Sequence, residues 1–249
     1  CALKHTLSMY HWIREACGNR PFEVEMSVDE TDRTTTPLEH LFIGLELKRM
    51  GVVVVSLAPR FVGDFEKGID YRGDISKFEE QYRLHVDIAN YCGPYKLSIH
   101  SGSDKFSIYP IIGRLSGEYL HVKTAGTSYL EALRVICLTD KSLFSEIVNF
   151  CRHKFDRDKQ SYHVSAALNQ VPERIDDDKF EDWYLTNEAG RQILHVTFGS
   201  VLFGGKTGAG NPFKELIIDN LIKNDQLYRN VLQKHLGRHI NTLLSETEI

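Results

Sequence analysis

The amino-acid sequence predicts a parallel α/β protein built as a TIM-like (β/α) barrel, and three observations support this fold class. A strand, a polar or glycine-containing loop and a helix recur six times along the 249 residues. The strand candidate from Val52 to Arg60 is an almost continuous apolar run, which is typical of a parallel sheet covered on both faces. Polar side chains gather where the strands end, which is the rim at which barrels carry their chemistry. An open, doubly wound sheet fits the same alternation.

Each predicted element has a local reason. The first strand alternates apolar and polar residues, and the first helix after it begins at a capping Thr36 followed by Pro37 and ends at Gly51. The predicted strands cover residues 22–29, 52–60, 95–101, 119–125, 161–168 and 192–199. The predicted helices cover residues 36–50, 75–88, 126–136, 142–155 and a closing pair over 212–244.

Six strands are fewer than the eight of a complete barrel, which needs about 250 residues. The chain also opens inside an apolar-periodic stretch, Ala2 to Ile13, that resembles part of a helix. We therefore expect one barrel domain over residues 1–249, with closing helices in 212–249. We expect it to be the C-terminal part of a longer pattern, lacking the first one or two βα units of the barrel.

Composition excludes several classes of partner. Lysine and arginine number 30 against 34 aspartate and glutamate, so the formal net charge of −4 argues against a nucleic-acid binder. No run approaches the roughly 20 apolar residues of a membrane helix. The five scattered cysteines form no CxxC pair, which indicates reduced thiols in the cytoplasm and excludes a cysteine-rich zinc knuckle. The sequence does not indicate an oligomeric state.

No nucleotide cofactor is expected either. The stretch from Gly199 to Thr207 resembles a phosphate-binding loop, but Ser200 occupies the position that the motif reserves for its first glycine. No strand-linked GxGxxG is present. We interpret this stretch as a flexible glycine-rich loop, and a lid over the mouth of the barrel is one role that such a loop can have.

Polar side chains on several strands are expected to converge on that mouth. Because alternate residues of a strand share a face, apolar neighbours facing outer helices leave a polar set pointing inward. This set is Asp29, Ser98, His100, His121, Lys123, His195 and Thr197. Imidazole and carboxylate ligands suit Zn²⁺, Mn²⁺, Co²⁺ or Ni²⁺.

Each of these residues has a structural alternative. A single strand histidine is more often a hydrogen-bonded core residue than a ligand, and Lys123 can serve as an ion-pair partner of Asp29 or Asp104. The acidic stretch after the first strand can be a solvated loop that caps the next helix. The helix that opens at Gly126-Thr127-Ser128 can be an ordinary helix start or an anion site made of free N–H groups.

Several of these stretches together resemble the tagaturonate epimerase family. The resemblance covers most of the chain up to about Gly210, and its most distinctive part is the segment from His100 to Phe106. The stretches that carry it are Ser27-Val-Asp-Glu-Thr31, Ser56-Leu-Ala-Pro-Arg-Phe61, Tyr95 to Pro110 and Leu120-His-Val-Lys-Thr-Ala-Gly-Thr-Ser-Tyr129. Members of the family are longer than this chain.

The resemblance implies a metal-dependent epimerase that interconverts D-tagaturonate and D-fructuronate, a sugar-acid reaction of hexuronate catabolism. The two acids differ at a carbon β to the ketone. Two routes would invert it: transient oxidation of the alcohol, for which the sequence shows no hydride-carrier motif, and retro-aldol cleavage followed by re-addition. The roles assigned on this basis are as follows. The metal ligands are Asp29, His100 and His195, and His121 contacts the substrate or is a reserve ligand. The base is Glu30 or Asp104, and Lys123 stabilises the oxyanion. The substrate carboxylate is bound by Arg60 and Lys105.

Two alternatives to the epimerase stay open at this stage. One is a metal-dependent aldolase or ketose isomerase on the same scaffold, because the proposed epimerisation is an interrupted aldolase reaction. The other is a truncated barrel that binds a metal or a sugar acid without turnover. The sequence leaves the metal undetermined.

Overall fold

The structure is a computed structural model that describes residues 2–101 and 103–245. Its helices are α1 (Ala2–Cys17), α2 (Pro37–Arg49), α3 (Ile75–Cys92), α4 (Tyr109–Ser116), α5 (Ala125–Thr139), α6 (Lys141–Asp158), α7 (Glu188–Val196), α8 (Phe198–Gly204), α9 (Phe213–Lys223) and α10 (Asp225–Leu244). Three 3₁₀ turns lie at Lys159–Ser161, Leu168–Gln170 and Asp177–Lys179, and a π-helical turn lies at Glu181–Thr186. The α/β class predicted from the sequence is confirmed.

Four short parallel strands form one sheet, in which spatial order equals chain order. They are β1 (Glu25–Ser27), β2 (Ser56–Ala58), β3 (Lys96–Ile99) and β4 (Leu120–Val122). Met26 is level with Leu57, which in turn is level with Leu97. The first four predicted strands therefore exist, although each is shorter than its apolar run.

One face of this sheet is apolar because alternate strand residues turn towards the helices. Met26, Leu57 and Leu97 are buried in a core that includes Phe78 and Tyr82 of α3. Fully burying a large apolar side chain contributes about 1.5–3 kcal/mol to folding. This packing fixes the sheet orientation, so the remaining alternate residues point to the opposite, polar face.

The helices begin where the sequence supplies caps. The Thr36 side chain accepts a hydrogen bond from the Glu39 N–H (3.2 Å), and the Glu39 carboxylate accepts one from the Thr36 N–H (2.8 Å). This reciprocal arrangement pairs two N–H groups that the helix leaves free. Asp74 caps α3 with a single bond, accepting from the Lys77 N–H (3.0 Å). The predicted closing pair is also present, as α9 and α10.

A second apolar core joins α5 to α9 and lies apart from the sheet. Phe144 and Phe155 of α6 and Ile193 of α7 are completely buried in it, together with Phe213 of α9. The core explains why the C-terminal half is helical: each helix has an apolar stripe that its neighbours cover.

The predicted fifth and sixth strands are wrong. Residues 162–167 have no regular structure, and side chains hold them in place. The Glu66 carboxylate accepts hydrogen bonds from the Ser165 N–H (2.7 Å) and hydroxyl (2.8 Å), and the Gln192 side-chain oxygen accepts one from the Ala166 N–H (3.0 Å). The sixth segment is mostly helix α7, which Asn187 caps by accepting from two N–H groups.

These two errors change the predicted architecture. Within residues 2–101 and 103–245, β1 and β4 are the edges of an open four-stranded sheet, so four of the six expected barrel strands are present and the barrel predicted from the sequence is not confirmed. The glycine-rich stretch from Gly199 to Thr207, predicted as a loop, is helical as far as Gly204, because α8 covers Phe198–Gly204. None of the described helices is both long and apolar enough to cross a membrane.

Candidate active site

The polar face of the sheet carries the candidate site. Glu25 and Ser27 of β1 alternate with buried Met26, and Glu25 lies level with Ser56 of β2. On the other half of the sheet, Ser98 of β3 is level with His121 of β4. Side chains of residues two apart share a face, so four strands direct polar groups to the same side.

Glu25 lies at the centre of this face. Its Oε1 is 2.8 Å from Nζ of Lys123 and 2.7 Å from Nε2 of His100. Its Oε2 is 2.7 Å from Oγ of Ser56 and 2.9 Å from Nδ1 of His121. Burial alone would raise the pKa of Glu25, but hydrogen bonds from Lys123, Ser56, Ser98 and His100 outweigh it and hold that pKa far below its ordinary value.

His100 lies between two carboxylates. Its Nε2 faces Glu25, and its Nδ1 is 3.2 Å from Oδ2 of Asp29, whose other oxygen accepts from the Ser27 hydroxyl. The Asp29 hydrogen bond raises the pKa of His100 despite partial burial, and Glu25 adds to the rise. A carboxylate on one ring nitrogen is the arrangement that orients a histidine whose other nitrogen binds a metal.

A cavity of about 620 Å³ opens beside His100. Clefts that bind small molecules typically enclose about 300–1,000 Å³. Asp29, Glu30, Arg60 and Lys67 line it, together with residues of the segment around Tyr162. The cavity therefore gives a sugar-sized molecule access to the His100 end of the polar face.

The structure brings six of the predicted site residues to this region. Asp29, His100, His121 and Lys123 belong to the Glu25 network, and Glu30 lines the cavity next to Asp29. Arg60 also lines the cavity, with its guanidinium donating to the Thr31 carbonyl. These placements agree with the prediction that the polar residues of several strands converge on one region, while the role of each residue stays a prediction.

Lys105 lies elsewhere. It is fully buried, and its Nζ donates to the backbone carbonyls of Glu66 (2.9 Å), Ile69 and Ser103 (3.2 Å). Burial lowers the pKa of Lys105 to about 8. Three carbonyl partners occupy the three donors of the ammonium, so its geometry is that of a clamp between two loops.

The strand position expected for His195 is wrong, because this residue lies on α7. A Cβ added at Gly126 would be 2.4 Å from Nε2 of His195, and one added at Gly68 would be 3.2 Å from Nδ1. Within the described chain, no hydrogen bond or ion pair joins His195 to Asp29 or His100. Thr197, also expected on a strand, ends α7 with its hydroxyl bonded to the Ile193 carbonyl.

Asp104 belongs to a second, more deeply buried polar cluster. Its Oδ1 is 3.1 Å from Nε2 of His239 and 4.0 Å from Nε2 of His235, and its Oδ2 is paired with Arg191. The three Asp and His residues form a group with ligand atoms close enough to hold a metal ion. Nε2 of His239 accepts a hydrogen bond from the Asp104 N–H (3.2 Å) and so does not donate to Oδ1. Oδ1 of Asp104 is therefore buried without a hydrogen-bond donor in the described chain, which is compatible with a cation there.

Sequence reasoning missed Glu25, His235 and His239. The signal for Glu25 is the alternation that places it on the same face as Ser27 and Asp29. Its position at the start of β1, away from the carboxyl end of the strand, gave it no place among the expected site residues. The signal for the two histidines was their spacing of four residues on the closing helix, which places both on one helix face.

Comparison with known proteins agrees with the resemblance seen in the sequence. The family model described as UxaE, tagaturonate epimerase, matches residues 1–243. A tagaturonate/fructuronate epimerase of Thermotoga maritima is 42% identical over 248 residues, which are 97% of this chain and 49% of that protein.

Solved structures give the same result for the fold. The native crystal structure of the fructuronate–tagaturonate epimerase UxaE from Cohnella laeviribosi and its complex with one glycerol each superpose with a TM-score of 0.90 at 36% identity. In both cases 97% of this chain and 49% of that chain are covered, so the chain spans about half the length of the relatives it matches. A family match over nearly every residue, with this structural agreement, shows that the chain belongs to the tagaturonate epimerase family.

Proposed function

We propose that the protein interconverts D-tagaturonate and D-fructuronate at the cavity beside Glu25 and His100, by retro-aldol cleavage and re-addition. The observation that carries this proposal is the convergence of two imidazoles and one ammonium on the Glu25 carboxylate, with His100 of this network at the wall of a sugar-sized cavity. Membership of the family supplies the substrate class.

The substrates decide between possible mechanisms. The inverted carbon is β to the ketone, so its C–H is not acidified and simple enolisation would invert the wrong centre. In the retro-aldol route a base takes the β-hydroxyl proton, the bond between the α and β carbons breaks, and its electron pair forms an enediolate. The aldehyde fragment rotates, the bond forms again on the other face, and the base returns the proton. Atoms and electrons balance without an oxidant.

The base in this route is Glu30. It lines the cavity beside Asp29 and its side chain is exposed, whereas Asp104 is held by Arg191 in the buried cluster. Lys123 lies against Glu25 and supplies positive charge where the oxyanion develops. Arg60 supplies a second cation at the cavity wall.

The donor set around Glu25 suits a divalent metal such as Zn²⁺, Mn²⁺, Co²⁺ or Ni²⁺, and we assign Glu25, His100 and His121 as its ligands. Asp29, which the sequence suggested as a ligand, orients His100 through Nδ1. Bound there, the metal would act as a Lewis acid on the ketone oxygen. His195, which the sequence also suggested as a ligand, is not among these proposed ligands.

The cluster of Asp104, His235 and His239 is a second candidate for the metal because Oδ1 of Asp104 is unpaired. Access decides between the two for catalysis. His239 is 3% exposed and Asp104 is 9% exposed, whereas His100 opens on the cavity. Among the described residues only Asp104, His235 and His239 have ligand atoms already within metal-binding distance of one another. We nevertheless propose the substrate-contacting metal at Glu25, on the ground of cavity access alone, and a structural ion in the buried cluster.

The same proposal includes a completed barrel. Strand order that follows chain order is the arrangement of a barrel, because a doubly wound sheet reverses its order at the switch point. In this proposal the polar face of the sheet is the interior of the barrel. The strands that close the barrel correspond to the half of the related proteins that this chain does not cover. Reduced cysteines and a small sugar-acid substrate fit a cytoplasmic enzyme.

A matched pair of histidine variants tests the proposed function. We expect His100→Ala to lose both its bound metal after dialysis and its turnover of tagaturonate, and His239→Ala to keep turnover if it folds. His153→Ala, on the exposed side of α6, is the control. Metal analysis and a proton NMR assay read out both effects. Three-carbon products would indicate an aldolase, and binding without change would indicate a non-catalytic fragment. Full metal content and activity in His100→Ala would disprove the site.

A further inference from the structure

His195 has an unpaired polar atom in a buried position. The residue is 8% exposed, and its Nδ1 has no hydrogen-bond partner among the atoms described. Leaving a buried polar atom unpaired is unfavourable. The ring occupies space that two glycines leave open, since a Cβ at Gly126 would lie 2.4 Å from its Cε1 and a Cβ at Gly68 would lie 3.2 Å from Nδ1. This geometry points to a missing hydrogen-bond partner.

The N-terminus of α5 lies against the Cε1–Nε2 edge of this ring, since a Cβ at Gly126 would lie 2.4 Å from each of these two atoms and 3.5 Å from Nδ1. The helix follows β4 after two residues, and the Thr124 side chain at its N-cap makes no capping hydrogen bond. Its first N–H groups have no partner inside the helix and carry the positive end of the helix dipole. The Thr127 hydroxyl is directed away, to Ser103 (2.6 Å) and His235 (3.0 Å). Oxyanions bind at such helix starts.

Lys67 adds a positive charge on the Nδ1 side of the ring, because it directly precedes Gly68, where an added Cβ would lie 3.2 Å from Nδ1. Its Nζ lies 2.5 Å from Oγ of Ser101, and its side chain lines the cavity next to His100. Burial, followed by the charges of Lys67 and Arg191, lowers the pKa of His195 to about 4, so the ring is a neutral donor at pH 7. The acidic groups that oppose these charges are Asp29 and Glu30 beside Lys67, and Asp104 beside His195.

We infer that the N-terminus of α5, Lys67 and Nδ1 of His195 together bind the carboxylate of the sugar-acid substrate. This inference rests on the proposed function and names the part of the site that separates a sugar acid from an uncharged ketose. It replaces Lys105, whose donors are occupied by carbonyls, as the carboxylate cation. Free inorganic phosphate has the same oxyanion chemistry and is the competing ligand.

Calorimetric binding to the intact protein tests the inference. The ligands are D-tagaturonate and D-tagatose, which differ only in carboxylate against primary alcohol, and inorganic phosphate. We expect Lys67→Met to weaken tagaturonate binding by about 10- to 100-fold and His195→Leu by about 3- to 10-fold, without weakening tagatose binding. His195→Asn places an amide donor near the position of Nδ1 and should recover most of the affinity. Lys77→Met, an exposed lysine on α3, is the charge-matched control.

The outcomes separate this inference from the proposed function. Unchanged tagaturonate affinity in Lys67→Met and His195→Leu overturns the carboxylate site while leaving the epimerase standing. If only Arg60→Met weakens tagaturonate binding, the carboxylate is bound by Arg60, and the inferred carboxylate site is overturned as well. Equal weakening of both sugars indicates a structural effect. Phosphate binding that these variants abolish, with tagaturonate unaffected, identifies a phosphate site. Failure of the unaltered protein to bind tagaturonate overturns both proposals.

Discussion

Replacing Glu25 by glutamine removes the charge at the centre of the polar face and keeps the side-chain shape. The carboxylate contacts two groups that can carry positive charge, Nζ of Lys123 at 2.8 Å and Nε2 of His100 at 2.7 Å. A hydrogen bond to a charged group contributes about 1.5–3 kcal/mol and a neutral one about 0.5–1.5 kcal/mol, so each contact loses about 1 kcal/mol. Because Lys123 is half-exposed and solvent screens its share, we expect a total loss of about 1–2 kcal/mol.

Two measurements at pH 6 check this expectation. Urea unfolding gives the free energy of unfolding, and NMR titration of the histidine rings gives the pKa of His100, which should fall because the Glu25 hydrogen bond raises it. Glu118→Gln, on an exposed residue before β4, is the control. An unchanged pKa of His100, together with an unfolding free energy equal to that of the control, would refute the network.

Three further predictions concern the scaffold. Burial holds the pKa of His40 at about 3 and that of His85 at about 4, against about 6.5 in the unfolded chain, so the unfolded state binds more protons between pH 6.5 and 4. As the pH is lowered through that window, the free energy of unfolding should fall by about 1.4 kcal/mol per histidine for each pH unit. Urea curves that do not shift between pH 6.5 and 5 would contradict this. Phe144→Ala should cost about 3–5 kcal/mol because its ring is completely buried, and a loss below about 1 kcal/mol in urea would show that the site collapses around it. Gly113→Ala should lower the melting temperature because its Cβ would lie 1.7 Å from a backbone oxygen of α10, whereas Gly199→Ala, with no atom within 4 Å, should not.

The part of the fold that follows from local rules could be predicted. Thr36 and Gly51 bound a helix through capping chemistry, and the structure has α2 over Pro37–Arg49. The two wrong strands show the limit of periodicity. Ile193 and Val196 are apolar residues typical of strands, but a buried position between helices satisfies them equally well. The capping Asn187 was the available sign of a helix.

The site could be predicted as a region and only partly as a set of residues. His100, His121 and Lys123 were found because strand ends in parallel sheets meet at one edge. Glu25 was missed because it lies within a strand, and its importance comes from contacts with residues 75 to 98 positions away. Such contacts depend on register, which a single sequence does not specify.

Proton NMR of tagaturonate turnover in D₂O, with the protein loaded with Zn²⁺ or Mn²⁺, tests the central claim most directly. Retro-aldol epimerisation never removes the hydrogen on the inverted carbon, so fructuronate should appear with that hydrogen retained. Deuterium at the inverted carbon would show direct deprotonation there and contradict the mechanism, and the absence of any fructuronate signal would contradict the proposed function itself.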